Sequence, residues 1–130
     1  MVTDPIGDMI TRIRNAQMRK KSEVLVPLSG FKEAVLGALL REGYIKGYLQ
    51  ETQGSRLFLR IELKYFNGKP VIQEIKRISK PSVQVYSSIK KISSAHSGLT
   101  NTILSTSAGV LSDREARDHH VGGKILLMVR

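Results

Sequence analysis

The sequence predicts an α+β fold: an N-terminal α-β-α-β-β lobe packed on a mostly β C-terminal lobe with one short helix. Three observations predict it. Ile6, Met9, Ile10 and Ile13 recur at i, i+3, i+4, i+7, and a second apolar stripe runs through Phe31, Val35, Ala38 and Leu39. Leu57, Leu59, Ile61 and Leu63 alternate with polar neighbours, the period of a strand with one face buried. Beyond Asn67-Gly68-Lys69-Pro70 the apolar runs become short and strand-like, interrupted by one capped helix at Ser112-x-x-Glu115. The turn at Asn67 sets the expected division into residues 1–66 and residues 67–130.

The first helix is expected over residues 3 to about 19. Thr3 or Asp4 can cap it, and Pro5 suits the first helical position, where its missing N–H is no loss. Its far end is cationic through Arg12, Arg14, Arg19, Lys20 and Lys21, with the neutral, polar Asn15 among them. Positive charge there suits the helix dipole, and it equally offers a polyanion several charges at once. Glu23–Pro27 reads as a strand stopped by its proline. A second helix runs from about Gly30 to Glu42, ended by Gly43, with Lys32 directed to solvent or to a phosphate. A hairpin follows, with strands Tyr44–Glu51 and Arg56–Tyr65 about a Thr52-Gln53-Gly54-Ser55 turn.

In the second half, Val71–Ser79 and Val83–Tyr86 read as strands separated by Lys80-Pro81-Ser82. Tyr86 serves either the core or a stacking contact. Ser87–Gly98 is polar and accommodates one helical turn. A strand from Leu99 to Leu104 leads into three successive hydroxyls, Ser105-Thr106-Ser107, then Gly109, the capping box, the pair Gly122-Gly123 and a last strand, Lys124–Arg130. Should the two flanking strands pair, the hydroxyl loop, the helix and the glycines lie at one end of a sheet. Hydroxyls can meet phosphate oxygens and ribose 2′-hydroxyls, and glycines admit another backbone closely. The same residues also read as a polar turn and a helix stop.

Composition bounds the function. The chain has 130 residues, 41% of them hydrophobic, enough for one domain or two small lobes. Its 21 Lys and Arg against 11 Asp and Glu give a formal charge of +10, which points to a polyanionic partner. With no cysteine there is no disulfide, thiol catalysis or Cys-ligated zinc. His96, His119 and His120 lack metal-ligand spacing, so no metal or other cofactor is expected. No Gly-x-Ser-x-Gly elbow or phosphate-binding loop occurs, and no small-molecule substrate or catalysis is expected. No apolar run spans a membrane and no secretory signal opens the chain, so a soluble intracellular protein without membrane contact is expected. Only 5% of residues are aromatic, too few for a broad single-strand stacking platform.

Several motifs in order carry a resemblance. Ser105-Thr106-Ser107-x-Gly109-Val110-x-x-Asp113-Arg114-Glu115-Ala116-Arg117, with Gly122-Gly123, resembles the signature of the bacterial-type small-subunit ribosomal protein eight family. Thr3-Asp4-Pro5-Ile6-x-Asp8-Met9-x-Thr11-Arg12-Ile13-Arg14-Asn15-Ala16 resembles that family's opening helix. Glu42-Gly43-Tyr44-Ile45, Leu63–Ile72 and Ile75–Pro81 fall in order between them. The resemblance implies a constituent of the small ribosomal subunit, in the bacterial cytoplasm or an organelle, that binds the central domain of small-subunit rRNA and promotes assembly beside neighbouring ribosomal proteins. It also raises repression of the chain's own messenger RNA. On this reading RNA is met by Ser105, Thr106, Ser107, Gly109, Gly122, Gly123, Lys124 and Tyr86 in the C-terminal lobe, and by Thr3, Arg14, Asn15 and Lys32 in the N-terminal lobe. The rival reading is a general double-stranded RNA- or DNA-binding module outside the ribosome.

The chain departs from the family pattern at informative positions. Lys124 stands where a Glu usually follows the glycine pair, replacing an acceptor with a donor. Ser82 and Gln84 replace the usual Gly and Arg, and Thr100 replaces a Gly. The usual Cys and terminal Trp give way to Leu127-Met128-Val129-Arg130.

Overall fold

The computed structural model describes residues 4–88 and 100–130. The expected Thr3 cap and most of the polar segment from Ser87 to Gly98 lie outside them. The described residues form α1 (Pro5–Met18), β1 (Glu23–Pro27), α2 (Gly30–Arg41), β2 (Ile45–Gln53), β3 (Arg56–Leu63), β4 (Tyr65–Phe66), β5 (Lys69–Pro70), β6 (Ile75–Arg77), β7 (Tyr86–Ser87), β8 (Asn101–Thr106), β9 (Gly109–Ser112), α3 (Asp113–Asp118) and β10 (Gly123–Val129). The architecture is α+β. Two compact units are distinguished, Pro5–Gln73 and Glu74–Arg130, with Asp4 grouped in the second.

In the first unit the sheet order is β1-β3-β2, antiparallel throughout, with Ile61 opposite both Val24 and Tyr48. One face carries Val26, Leu59, Ile61 and Leu63, all buried. The helices bring Ile6, Met9, Ile10, Ile13 and Ala16 from α1, and Val35, Leu36, Ala38 and Leu39 from α2. Burial at about 25 cal/mol per Å² of apolar surface is the main force holding such a layer together.

Three expectations are corrected here. The buried stripe of α2 is Lys32, Val35, Leu36 and Leu39, at i, i+3, i+4, i+7, so Phe31 falls beside it and is exposed. Lys32 consequently lies inside rather than in solvent, and its Nζ donates to the Pro27 carbonyl at 3.0 Å. Burial pushes its ammonium pKa below the ordinary lysine value; Asp8 partly offsets this and Arg12 adds to it. Leu57 keeps the inward parity but is exposed, because β1 ends opposite Phe58 and leaves the hairpin tip uncovered.

In the second unit β10 is the central strand. One edge pairs with β8, which continues to β9; the other is shared by β7 and β6. A bulge between Ile125 and Leu127 shifts its register against β8. Leu104 and Ala116 form a buried pair against which Val121 and Ile125 pack. The Arg77 guanidinium is ion-paired with Asp4. The expected Val71–Ser79 strand shortens to β6 because Val71 and Ile72 belong to the first unit. The expected Val83–Tyr86 strand is reduced to β7, after a Lys80–Val83 bridge that closes a tight turn.

The three helices among the described residues end in the same way. Lys21 N–H donates to Ala16, Tyr44 to Leu39 and Val121 to Ala116, each the long bond of a Schellman motif. The left-handed residue is Lys20 (φ 54°), Gly43 (φ 82°) or His120 (φ 54°). His120, not the Gly122-Gly123 pair, therefore stops α3.

Candidate nucleic-acid interface

The site is built from the strand order of the second unit. In β10, Lys124 lies opposite Ser105 of β8 and opposite Tyr86 of β7. Directly opposed residues share a sheet face, so Ser105, Lys124 and Tyr86 form one row across three strands. Tyr86 is 66% exposed, while Ser105 and Lys124 are half-buried. The expected core alternative for Tyr86 is therefore corrected: its phenol donates to Gln84 Oε1 at 3.0 Å, and its ring is left to solvent. A hydroxyl, an ammonium and an aromatic face are thus presented together.

The hydroxyl stretch is more ordered than a loop. Ser105 and Thr106 belong to β8, Gly109 opens β9, and Ser107-Ala108 is the two-residue turn between them. Thr106 braces that turn: its hydroxyl donates to the Gly109 carbonyl at 2.8 Å and accepts from Ala108 N–H at 3.1 Å. Gly109 has φ 110°, a conformation that side chains rarely adopt. Ser107 projects from the tip and is exposed. β9 itself went unseen in the sequence, since four residues between a turn and a helix cap show no periodicity.

Gly123 lies opposite Thr106 on one side and Ser87 on the other. A Cβ at this position would collide with the Ser105 carbonyl and stand 3.0 Å from Thr106 Cγ2. The close approach that Gly123 permits is thus already used by the chain's own strand β8. Gly122, half-buried, precedes it in the link from α3.

The short helix α3 anchors this end of the sheet. Ser112 is fully buried; its hydroxyl accepts from Glu115 N–H at 3.1 Å, while Ser112 N–H donates to Glu115 Oε1 at 3.0 Å. This is the expected capping box. Asp113–Arg117 and Arg114–Asp118 pairs lie along the helix.

In the first unit Arg14, Asn15, Arg19, Lys20 and Lys21 are exposed. A groove of about 650 Å³ beside them is lined by Arg12, Asn15, Arg19, Lys21, Ser22 and Arg60, among others. Two of its cations already have carboxylate partners: Arg12 with Asp8 at 3.0 Å, and Arg60 with Glu23 and Glu51. Among the described residues no group of three or more His, Asp or Glu could hold a metal ion, and no helix is long and apolar enough to cross a membrane.

An α+β chain with this hydroxyl hairpin, capped helix and basic excess matches a class of small-subunit ribosomal proteins, which are structural and not enzymes. The family model described as Ribosomal protein S8 matches residues 4–129. The chain is 52% identical to the small ribosomal subunit protein uS8 of Erythrobacter litoralis over 128 residues, 98% of each chain. It is 53% identical to that of Rhodopseudomonas palustris (strain BisB18) over 127 residues, 97% of this chain and 96% of the relative. With the Sphingopyxis alaskensis protein of the same name, identity is 51% over 131 residues and 98% of each. The chain belongs to the ribosomal protein S8 family.

Proposed function

We propose that the chain is a primary rRNA-binding protein of the small ribosomal subunit, acting in the bacterial cytoplasm. The observation that carries this is the row Ser105, Lys124 and Tyr86, continued at the hairpin tip by Ser107. A-form RNA exposes 2′-hydroxyls, base edges and phosphates along a shallow minor groove. Serine hydroxyls can exchange donor and acceptor roles with those groups, Lys124 meets a phosphate, and the Tyr86 ring covers a sugar or base. Lys124 can only donate, so this chain turns the position after the glycine pair toward phosphate. Gly109 keeps the tip free of bulk, while Thr106, Gly122 and Gly123 hold the surface in shape.

The partner is a helical element of the central domain of small-subunit rRNA, as the family resemblance implies. The exposed end of α1, with Arg14, Asn15 and the run from Arg19 to Lys21, engages a neighbouring RNA helix, and Thr3 is carried with it only as the family resemblance implies. Lys32, turned inward, supports this unit from within. Holding two RNA helices fixes their mutual orientation and prepares the subunit for neighbouring ribosomal proteins. The same surface would let the chain bind its own message where that message imitates the rRNA site.

Footprinting of the purified protein on small-subunit rRNA tests the reading. Protection of one defined helical site in the central domain is expected. Uniform protection of any duplex would favour a general double-strand binder instead.

A further inference from the structure

Phe66 is 73% exposed, more than any other aromatic side chain among the described residues. Its hairpin holds it there. Asn67 (φ 53°) and Gly68 (φ 78°) are both left-handed, the two-residue turn that suits the natural twist of paired strands. Tyr65 lies opposite Pro70 and Phe66 opposite Lys69, so the hairpin has two faces. Tyr65 and Pro70 are half-buried, whereas Phe66 and Lys69 are exposed.

The inner face is pinned. The Tyr65 phenol donates to the Lys21 carbonyl at 2.6 Å, and Val71 N–H donates to the Lys64 carbonyl at 2.9 Å. The first bond fixes the hairpin beside the segment after α1, where Arg19, Lys20 and Lys21 are exposed. Tyr65 also borders a recess with Lys20, Lys46, Glu23 and Glu62, in which the charges balance. Outside that recess, positive charge stands at the hairpin tip on Lys69 and beside it on Arg19 and Lys21, all exposed. Phe66 and Lys69 line one groove with Tyr65, Pro70, Val71 and Lys64, so a ring stands beside two ammonium groups, a pairing that suits a nucleotide: the base stacks on the ring and the phosphate meets an ammonium.

We infer that Phe66 and Lys69 form a stacking finger that receives an unpaired nucleotide of RNA. This rests on the rRNA-binding reading above and adds a contact that the C-terminal row does not supply. The chain has no tryptophan, so Phe66→Trp places a single indole at the tip. Titration with in vitro transcribed small-subunit rRNA should quench that indole saturably. Phe66→Ala should weaken binding by roughly tenfold, the usual worth of one stacked base. Lys69→Gln should lower affinity less and reduce its salt dependence. If the unsubstituted protein and Phe66→Ala bind equally and the indole emission is unchanged, the finger is overturned. A loss confined to a Ser105→Ala/Ser107→Ala variant would overturn the finger and leave the C-terminal surface standing. No rRNA binding by the unsubstituted protein would overturn both.

Discussion

Ser105 stands at a strand position and Ser107 at the hairpin tip, while Thr106 between them is occupied in bracing the turn. Replacing both serines with alanine should weaken rRNA binding by about 1–3 kcal/mol, the worth of hydrogen bonds to charged groups, and leave thermal stability near its starting value. Filter binding and a melting curve on the same variant check the two halves. Gly123→Ala should behave in the opposite way. Its methyl group meets backbone rather than a movable side chain, so a cost of about 1–3 kcal/mol in unfolding free energy is expected, read by denaturant titration.

Lys32 offers a test of a different kind. Burial lowers its pKa from the ordinary 10.5, so between the two values the unfolded chain binds more protons than the folded one. The folded state therefore gains stability as pH rises through that window, and none of the gain is present below it. Lys32→Met lacks the group, so the stability of the unsubstituted protein relative to this variant should improve toward about pH 10. A constant difference contradicts the assignment. Nothing local in the sequence marks Lys32 as buried. Only the position of Val35, Leu36 and Leu39 on the folded helix puts it on the stripe.

At the scale of elements, α3 shows how much six residues can depend on their cap. So short a helix is marginal alone, and Ser112 supplies an orphan N–H with its acceptor inside the protein. Ser112→Ala should cost about 1 kcal/mol or somewhat more, measured by thermal denaturation. The capping box was legible because its two residues stand three apart whatever the rest of the chain does. The alternation of Leu59, Ile61 and Leu63 was legible for a similar reason: each neighbour in sequence is a neighbour across the pleat. β9 was not, since its partners lie across a turn and its own four residues are too few to repeat anything. The run from Val71 to Ser79 misled because one apolar stretch serves two units, and hydrophobicity does not reveal which core receives each residue. The helix stop after α3 misled as well, because His120 adopts a conformation for which glycine is the better bet.

For the whole molecule, the excess of ten positive charges bears on affinity rather than on shape. Each neutralised phosphate releases counterions, so affinity should fall with salt along a log–log slope of several units if on the order of 5 phosphates are met. Titrations at a series of potassium concentrations measure it directly, and a flat response would contradict an electrostatic RNA interface. The row of Ser105, Lys124 and Tyr86 could not be assembled from the sequence alone, because its three members come from separate strands and meet only through β10. The residue types were visible; their alignment was a property of the sheet.

That central strand has a consequence for synthesis. β6 and β7 leave the ribosome before Gly123–Val129, the strand that both pair with, and β8 has only β9 beside it until then. The unit from Pro5 to Gln73 is contiguous and can settle while translation continues, whereas the second must wait with open edges for its keystone. A released chain truncated before Gly123 should therefore resist protease from Pro5 to Gln73 and be cut freely beyond it.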